Sequence, residues 1–204
     1  MKIEPGEHIR VISWDMDGTL YSSSAFKRCL YRRWLRYCWQ PSVWRDIRAI
    51  ARAQQMMQRV RAAGGEWPGY EPVLRAQAQP CERLWFAAAL QATGPRPGIP
   101  ETLAAFRERG YRQIIVSDYS AAYKLQALGI SHYFDAIFAG EDSGIFKPSP
   151  RVFSRICVEM NIEPAALLHI GDREDTDGVA ASAAGCSVVI VPEGEDVVAA
   201  AFPG

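Results

Sequence analysis

Residues 14 to 20 read Trp-Asp-Met-Asp-Gly-Thr-Leu, and they close the first apolar run of the chain. Ahead of them, Ile9 to Trp14 is a short stretch rich in β-branched residues, which predicts a buried strand. The strand stops on two carboxylates, Asp15 and Asp17, followed at once by Gly18 and Thr19. In an open parallel sheet, ligands bind outside the carboxyl ends of the strands, so side chains just past a strand end converge on one crevice. A strand that ends on acids and glycine therefore has the form of a site. Taken alone, the pair is equally compatible with a turn, where Asp is common.

Working outward, the pattern on the carboxyl side of this stretch is helical. Phe26, Leu30, Trp34 and Tyr37 or Cys38 recur every three to four residues until Pro41. A second helix is expected from Ser42 as N-cap through Ile47, Ile50, Met57 and Val60 to the stop at Gly64 and Gly65. The stretch GEWPGYEP reads as a loop, and Pro80 to Ala92 as a third helix with Leu84, Trp85, Ala88 and Ala89 inward. Residues 21–90 are thus expected to form an all-helical unit without strands.

After Gly94-Pro95-Arg96-Pro97-Gly98 the pattern alternates between helix and strand. Strands are expected at Gln113–Val116, Ala136–Ala139, Leu167–Ile170 and Ser187–Val191, with helices at 100–109, 120–128, 149–160 and 176–184. Such alternation predicts an α/β doubly wound parallel sheet, here a Rossmann-like core of residues 1–20 and 91–204 carrying a small helical cap, residues 21–90.

Composition agrees with a water-soluble enzyme of that size. The 204 residues are 49% hydrophobic and 23% charged, which excludes disordered, fibrous and disulfide-scaffold classes. No window resembles a membrane span, and the start MKIEPGEHIR carries no apolar signal core, so a cytoplasmic location is expected. The five cysteines are scattered without paired short spacings and read as buried free thiols. Net charge is zero, yet Phe26 to Leu90 holds twelve Lys or Arg against four Asp or Glu. The cap is expected to be basic.

Four strand ends in this reading terminate in reactive groups: Asp15 with Asp17, Ser117 with Asp118, Lys147, and Asp172 with Asp177. Parallel strands put these ends on one side. Two carboxylates two residues apart can aim one group at an electrophile and the other at its leaving group. A carboxylate nucleophile splits one hard displacement into two easier ones through an acyl phosphate. Asp15, Asp172 and Asp177 together would repel one another without a hard cation, and oxygen-only ligands favour Mg2+. Lys147 would offset the remaining negative charge, and Ser117 could donate to a phosphoryl oxygen.

The stretches WDMDGTL (14–20), IIVSDYS (114–120), FKPSP (146–150) and HIGDREDTDGVAASAAG (169–185) strongly resemble, in order, the four motifs of the haloacid dehalogenase-like superfamily. The resemblance covers the whole core. It implies that Asp15 is the nucleophile and a metal ligand, and that Asp17 is the general acid and base whose backbone carbonyl also meets the metal. It further implies that Thr19 supports Asp17, Ser117 binds phosphate, Lys147 orients nucleophile and phosphate, and Asp172 holds Mg2+. Asp177 would act more distantly. Asp17 separates phosphoryl chemistry from dehalogenation, because a halide leaves without a proton and an alkoxide does not.

Asp118 departs from the pattern, since many members carry Asn there; it could weaken phosphate binding, bind a further cation, or accept from a backbone amide. Ser117 and Asp118 could also N-cap the next helix. Glu174 and Asp175 read as first-turn helix charges, and His8, His132 and His169 as structural. Trp34, Trp39, Trp44, Trp67 and Trp85 read as packing of the cap. Arginines 28, 32, 36, 45, 48 and 52 admit three readings: a solvated surface, substrate anchors turned inward, or a face for nucleic acid or an anionic membrane.

The resulting expectation is a Mg2+-dependent phosphohydrolase acting on a small phosphorylated metabolite, as a monomer or homodimer, with cap loops at Gln40–Ser42 and Gly64–Tyr70 touching the leaving group. Its rivals are a phosphomutase or phosphotransferase with the same site, and a non-catalytic binding or regulatory protein that uses its basic cap.

Overall fold

A computed structural model describes residue 6, residues 8–67 and residues 71–195. Five parallel strands form one sheet in the order β3-β2-β1-β4-β5: β1 (Val11–Trp14), β2 (Arg112–Ser117), β3 (Ala136–Ala139), β4 (Leu167–Gly171) and β5 (Ser187–Ile190). All neighbours pair in parallel. Every residue of β1 and of β4 is buried, as strands covered on both faces require. The chain first winds outward from β1 through β2 to β3, then returns to the other side of β1 for β4 and β5. That reversal places the switch point, and hence a crevice, at the carboxyl end of β1.

Two layers cover the sheet. One face of the sheet packs Ile12, Trp14 and Ile115 against α4 (Ile99–Glu108) and α5 (Ala122–Leu128), through Leu103, Phe106 and Leu125. The other face packs Val11, Ile114 and Val116 against α7 (Arg151–Met160) and α8 (Val179–Ala183), through Phe153, Ile156 and Ala180. A short turn, α6 (Gly140–Ser143), follows β3.

Three helices occupy the chain between β1 and α4: α1 (Ser23–Tyr37), α2 (Pro41–Ala62) and α3 (Pro72–Thr93). Ser22 caps α1, its hydroxyl accepting the Ala25 N–H at 3.1 Å. In contrast to the expectation for α2, Ser42 is not its N-cap: Pro41 opens the helix, its missing N–H being one the first turn leaves unpaired anyway. Helix α3 starts eight residues before the expected Pro80, which lies inside it. Tertiary contacts override this breaker, because Arg75, Ala78, Glu82, Trp85 and Ala89 all face the interior on either side of Pro80. Leu84, expected inward, is exposed. The loop reading of residues 65–72 falls partly on 68–70, outside the described residues.

Buried polar contacts join these helices to the sheet. Arg75 on α3 forms a two-pronged pair with Glu82, both bonds 2.9 Å, and also reaches Glu141 on α6, whose second oxygen accepts from Gln79 at 2.8 Å. Trp85 Nε1 donates to Asp46 of α2 at 3.1 Å. Of the tryptophans expected to pack inside, Trp85 does so, while Trp39 and Trp44 are exposed. Their indoles flank the α1–α2 turn, Trp44 Nε1 donating to the Cys38 carbonyl at 2.7 Å, so the turn itself presents them outward. The cysteines are all free, but only Cys157 and Cys186 are buried; Cys38 is exposed. Among the described residues no helix is long and apolar enough to cross a membrane.

Candidate active site

The carboxyl ends of β1, β2 and β4 bring Asp15, Ser117 and Asp172 to one polar cavity of about 370 Å³, which Asp17, Lys147 and Asp177 also line. Carboxylate oxygens of Asp15, Asp172 and Asp177 lie within 4.8 Å of one another. Lys147 is the cation at their centre, with Nζ 2.5 Å from Asp15 Oδ1 and 2.5 Å from Asp177 Oδ1. Burial alone would lower the Lys147 pKa, but the charges of Asp15 and Asp177 outweigh it and hold the ammonium form.

One lysine does not neutralise three acids. Burial, only partly offset by Lys147, pushes Asp15 up to about 8, and burial with the charge of Asp177 pushes Asp172 up to about 6. Excess negative potential in an all-oxygen donor set is what a hard divalent cation relieves, so these residues fit such a metal. Asp177 is the most committed of the three. Lys147, His169 Nε2 at 3.1 Å and the Arg173 amide at 3.2 Å all reach its carboxylate, and Lys147 and His169 overcome burial to hold it well below the usual range.

His169, expected to be structural, thus positions an acid of the site. It is enclosed within β4, burial holds its pKa below the ordinary value, and its Nδ1 lies 2.9 Å from Ser13 Oγ. An ionised Asp177 only accepts, so Nε2–H donates to it and the Ser13 hydroxyl donates to Nδ1.

Gly18 permits the loop after β1 to approach β4. Its φ is +101°, and a Cβ there would fall 2.1 Å from Asp172 Oδ2. Thr19, expected to bind substrate and support Asp17, is completely buried. Its hydroxyl lies 3.5 Å from Asp15 Oδ2, because the turn folds its side chain back under Asp15.

Asp17 points away from the acidic cluster. Lys124 Nζ donates to both of its oxygens, at 2.6 and 2.8 Å, and the Tyr21 hydroxyl donates to Oδ1. Burial would raise its pKa, but Lys124 and Tyr21 more than offset this and lower it. Sequence reasoning missed both partners. The available signal was a lysine at an apolar-flanked position of α5, between Tyr123 and Leu125, where a buried ammonium requires an acid.

Asp118 resolves to the last of its three alternatives and adds an ion pair. Its Oδ1 accepts the Lys147 backbone N–H at 3.0 Å, and its Oδ2 accepts Arg61 Nε of α2 at 2.9 Å. Neither Ser117 nor Asp118 caps α5, which begins at Ala122 behind an Ala121 N-cap; Ser117 Oγ instead accepts the Tyr119 N–H at 3.2 Å. Glu174 and Asp175 lie in a wide π-type turn before α8, with Asp175 paired to Arg173 at the surface. Arginines 28, 32, 36, 45, 48 and 52 are all exposed, whereas Arg61 of α2 lines the cavity.

A second cavity, of about 230 Å³, adjoins the first and shares Asp17, Ser23, Lys27 and Tyr119 with it. Its far wall is apolar, formed by Phe26, Leu30, Trp34 and Phe86. The Gln40–Ser42 turn, expected at the leaving group, lines neither cavity. Gly65 instead packs on the Lys147 loop, where its carbonyl accepts the Phe146 N–H at 3.0 Å; residues 68–70 are outside the described residues.

The model of the haloacid dehalogenase-like hydrolase family matches residues 9–185. Over 199 residues the chain is 27% identical to the glyceraldehyde 3-phosphate phosphatase of Methanopyrus kandleri, covering 92% of this chain and 85% of that protein. It is 28% identical over 205 residues to the phosphoglycolate phosphatase of Shigella dysenteriae, covering 90% and 81%. A phosphoglycolate phosphatase of Haemophilus influenzae matches more locally, at 34% over 96 residues, 46% of this chain and 42% of that protein. Among solved structures, CbbY from Rhodobacter sphaeroides in complex with phosphate superposes with a TM-score of 0.63 at 22% identity, covering 90% and 86%. The L-2-haloacid dehalogenase of Xanthobacter autotrophicus gives 0.62 at 19%, covering 90% and 77%, so the fold by itself does not choose between the two chemistries. The match along nearly the whole core, with an acid at position 17, shows that the chain belongs to the haloacid dehalogenase-like hydrolase family, on its phosphatase side.

Proposed function

We propose that the protein hydrolyses a small phosphomonoester through an aspartyl-phosphate intermediate with Mg2+ as cofactor, residues 21–90 acting as a cap on the core of residues 1–20 and 91–204. The observation that carries this reading is the separation of two acids two residues apart: Asp15 against Lys147 and the acidic cluster, Asp17 against Lys124 and Tyr21. Asp15 and Asp172, with Asp177 behind them, would hold the metal, which supplies positive charge beside the phosphoryl oxygens.

Lys147 fixes Asp15 Oδ1, leaving the carboxylate to attack phosphorus from its other oxygen. As the P–O bond to the leaving group breaks, Asp17 in its protonated form gives the proton to the departing alkoxide. The resulting Asp17 carboxylate then takes a proton from water, whose oxygen attacks the aspartyl phosphate and restores the Asp15 carboxylate. Ser117 supports a phosphoryl oxygen by hydrogen bond, and Arg61 adds positive charge at the cavity wall. The apolar cavity beside Asp17 receives the leaving group. The names of the relatives, which act on small phosphorylated compounds, agree with this substrate class.

The test is phosphate release from an aryl phosphate with Mg2+, with chelator and after Asp15→Asn. Activity should vanish with chelator and fall at least ~10⁴-fold in the variant. Metal-independent turnover, or a fully active variant, overturns the mechanism.

A further inference from the structure

We infer that the outer face of α1 and the α1–α2 turn form a docking surface for an anionic lipid bilayer. Helix α1 has two opposite faces. Phe26, Leu30, Trp34 and Tyr37 pack inward, whereas Arg28, Arg32, Leu35 and Arg36 project to solvent from the other side, with Tyr31 at the edge between them, as the 3.6-residue period dictates. Tyr31, Leu35 and Trp39 follow at four-residue steps and are 53%, 72% and 76% exposed, with Trp44 at 50% beside them. Large apolar groups that open to water and lie together are costly unless covered.

The charge around them selects the partner. Residues 23–62 contain ten Lys or Arg and a single acid, Asp46, which is buried. Helix α1 itself has no acidic residue. A second copy of the chain would set like charge against like charge on this face, so self-association does not cover it. A nucleic-acid strand is tracked by a basic groove with stacking rings, but this surface is a helical ridge, with Leu35, which has no π-face, among its most exposed apolar groups. Arginines flanking Trp, Tyr and Leu on a helix lying in the surface plane match the headgroup boundary, where aromatic rings and apolar tips enter and cations meet lipid phosphates.

The arrangement has a spatial consequence. The inner side of α1 walls the apolar cavity next to Asp17, and Lys27 and Tyr31 belong to that cavity's lining. Docking α1 therefore brings that lining to the lipid surface.

The experiment is flotation of the full chain with phosphatidylcholine vesicles and with vesicles that also contain phosphatidylglycerol. Binding is expected to the second kind, weakening as salt rises. The triple variant Arg28→Gln, Arg32→Gln, Arg36→Gln should lose roughly a hundredfold in vesicle affinity, and the pair Leu35→Ala, Trp39→Ala about tenfold. Aryl phosphatase activity and circular dichroism, read on each variant, separate lost docking from lost folding. Failure to float with anionic vesicles overturns the inference, as does vesicle binding that neither set of substitutions alters. Tighter binding to single-stranded RNA than to vesicles, or a dimer abolished by the Leu35 and Trp39 changes, equally overturns it.

Discussion

Lys124 Nζ lies within 2.8 Å of both carboxylate oxygens of Asp17, so the residue assigned the proton transfers is gripped by a buried ammonium from α5. With Tyr21 donating to the same carboxylate, Asp17 is held in its charged form against the effect of burial. Replacing Lys124 by Met should let burial dominate and raise the Asp17 pKa. Because Asp17 must carry a proton to serve the leaving group, the alkaline limb of the pH profile of kcat/KM for an alkyl phosphate should then move to higher pH. An unchanged profile would show that Lys124 serves packing alone.

The metal-free protein should lose stability as pH rises. Burial pushes Asp15 up to about 8 and Asp172 up to about 6 from an ordinary carboxyl value of 3.8, so the folded chain binds more protons than the unfolded chain in between. Their contribution is complete below the unfolded value and is lost as pH climbs through 6 and then 8. Thermal melts with chelator should therefore show Tm declining across that window. Mg2+ should raise Tm most at the alkaline end, where its carboxylate ligands no longer carry protons. Asp15→Asn should flatten the decline.

Gly18→Ala should destabilise the fold by about 1–3 kcal/mol through the positive φ alone. The new methyl would also collide with Asp172. Urea unfolding measures the first effect. A raised Mg2+ requirement for activity measures the second, since displaced Asp172 is one of the expected ligands.

Arg75→Met should cost about 3–5 kcal/mol, because Glu82 and Glu141 would remain enclosed without their cation. Denaturant titration checks the loss. The double change of Arg75→Met with Glu82→Gln should recover part of it, which simple cavity formation would not allow.

The sheet and the main site were legible because they rest on short-range signals. An apolar run such as Val11–Trp14 that breaks into Asp15 and Asp17 states both its burial and its end. The carboxyl ends of parallel strands then bring Ser117 and Asp172 to the same crevice without further information. What stayed hidden depends on tertiary contacts. Pro80 is a strong local breaker, and only the interior partners of Arg75 and Trp85 explain why the helix continues through it. Lys124 hints at burial only through its neighbours Tyr123 and Leu125, and its acid lies 107 positions away. Thr19 is likewise a neighbour of Asp17 in the chain but of Asp15 in space, since the turn reverses direction between them. Trp39 and Trp44 have the composition of core residues, and nothing local says that the α1–α2 turn carries them outward.

Asp118 holds the Lys147 main chain with one oxygen and the Arg61 side chain of α2 with the other. A swing of α2 away from the sheet would have to tear an ion pair out of the site wall, next to the backbone that carries Lys147. Position 118 is thereby a bolt between the helical layer and the cavity: an amide there would offer Arg61 a neutral partner, whereas the carboxylate makes any parting of α2 from the sheet a change of charge in the cavity wall.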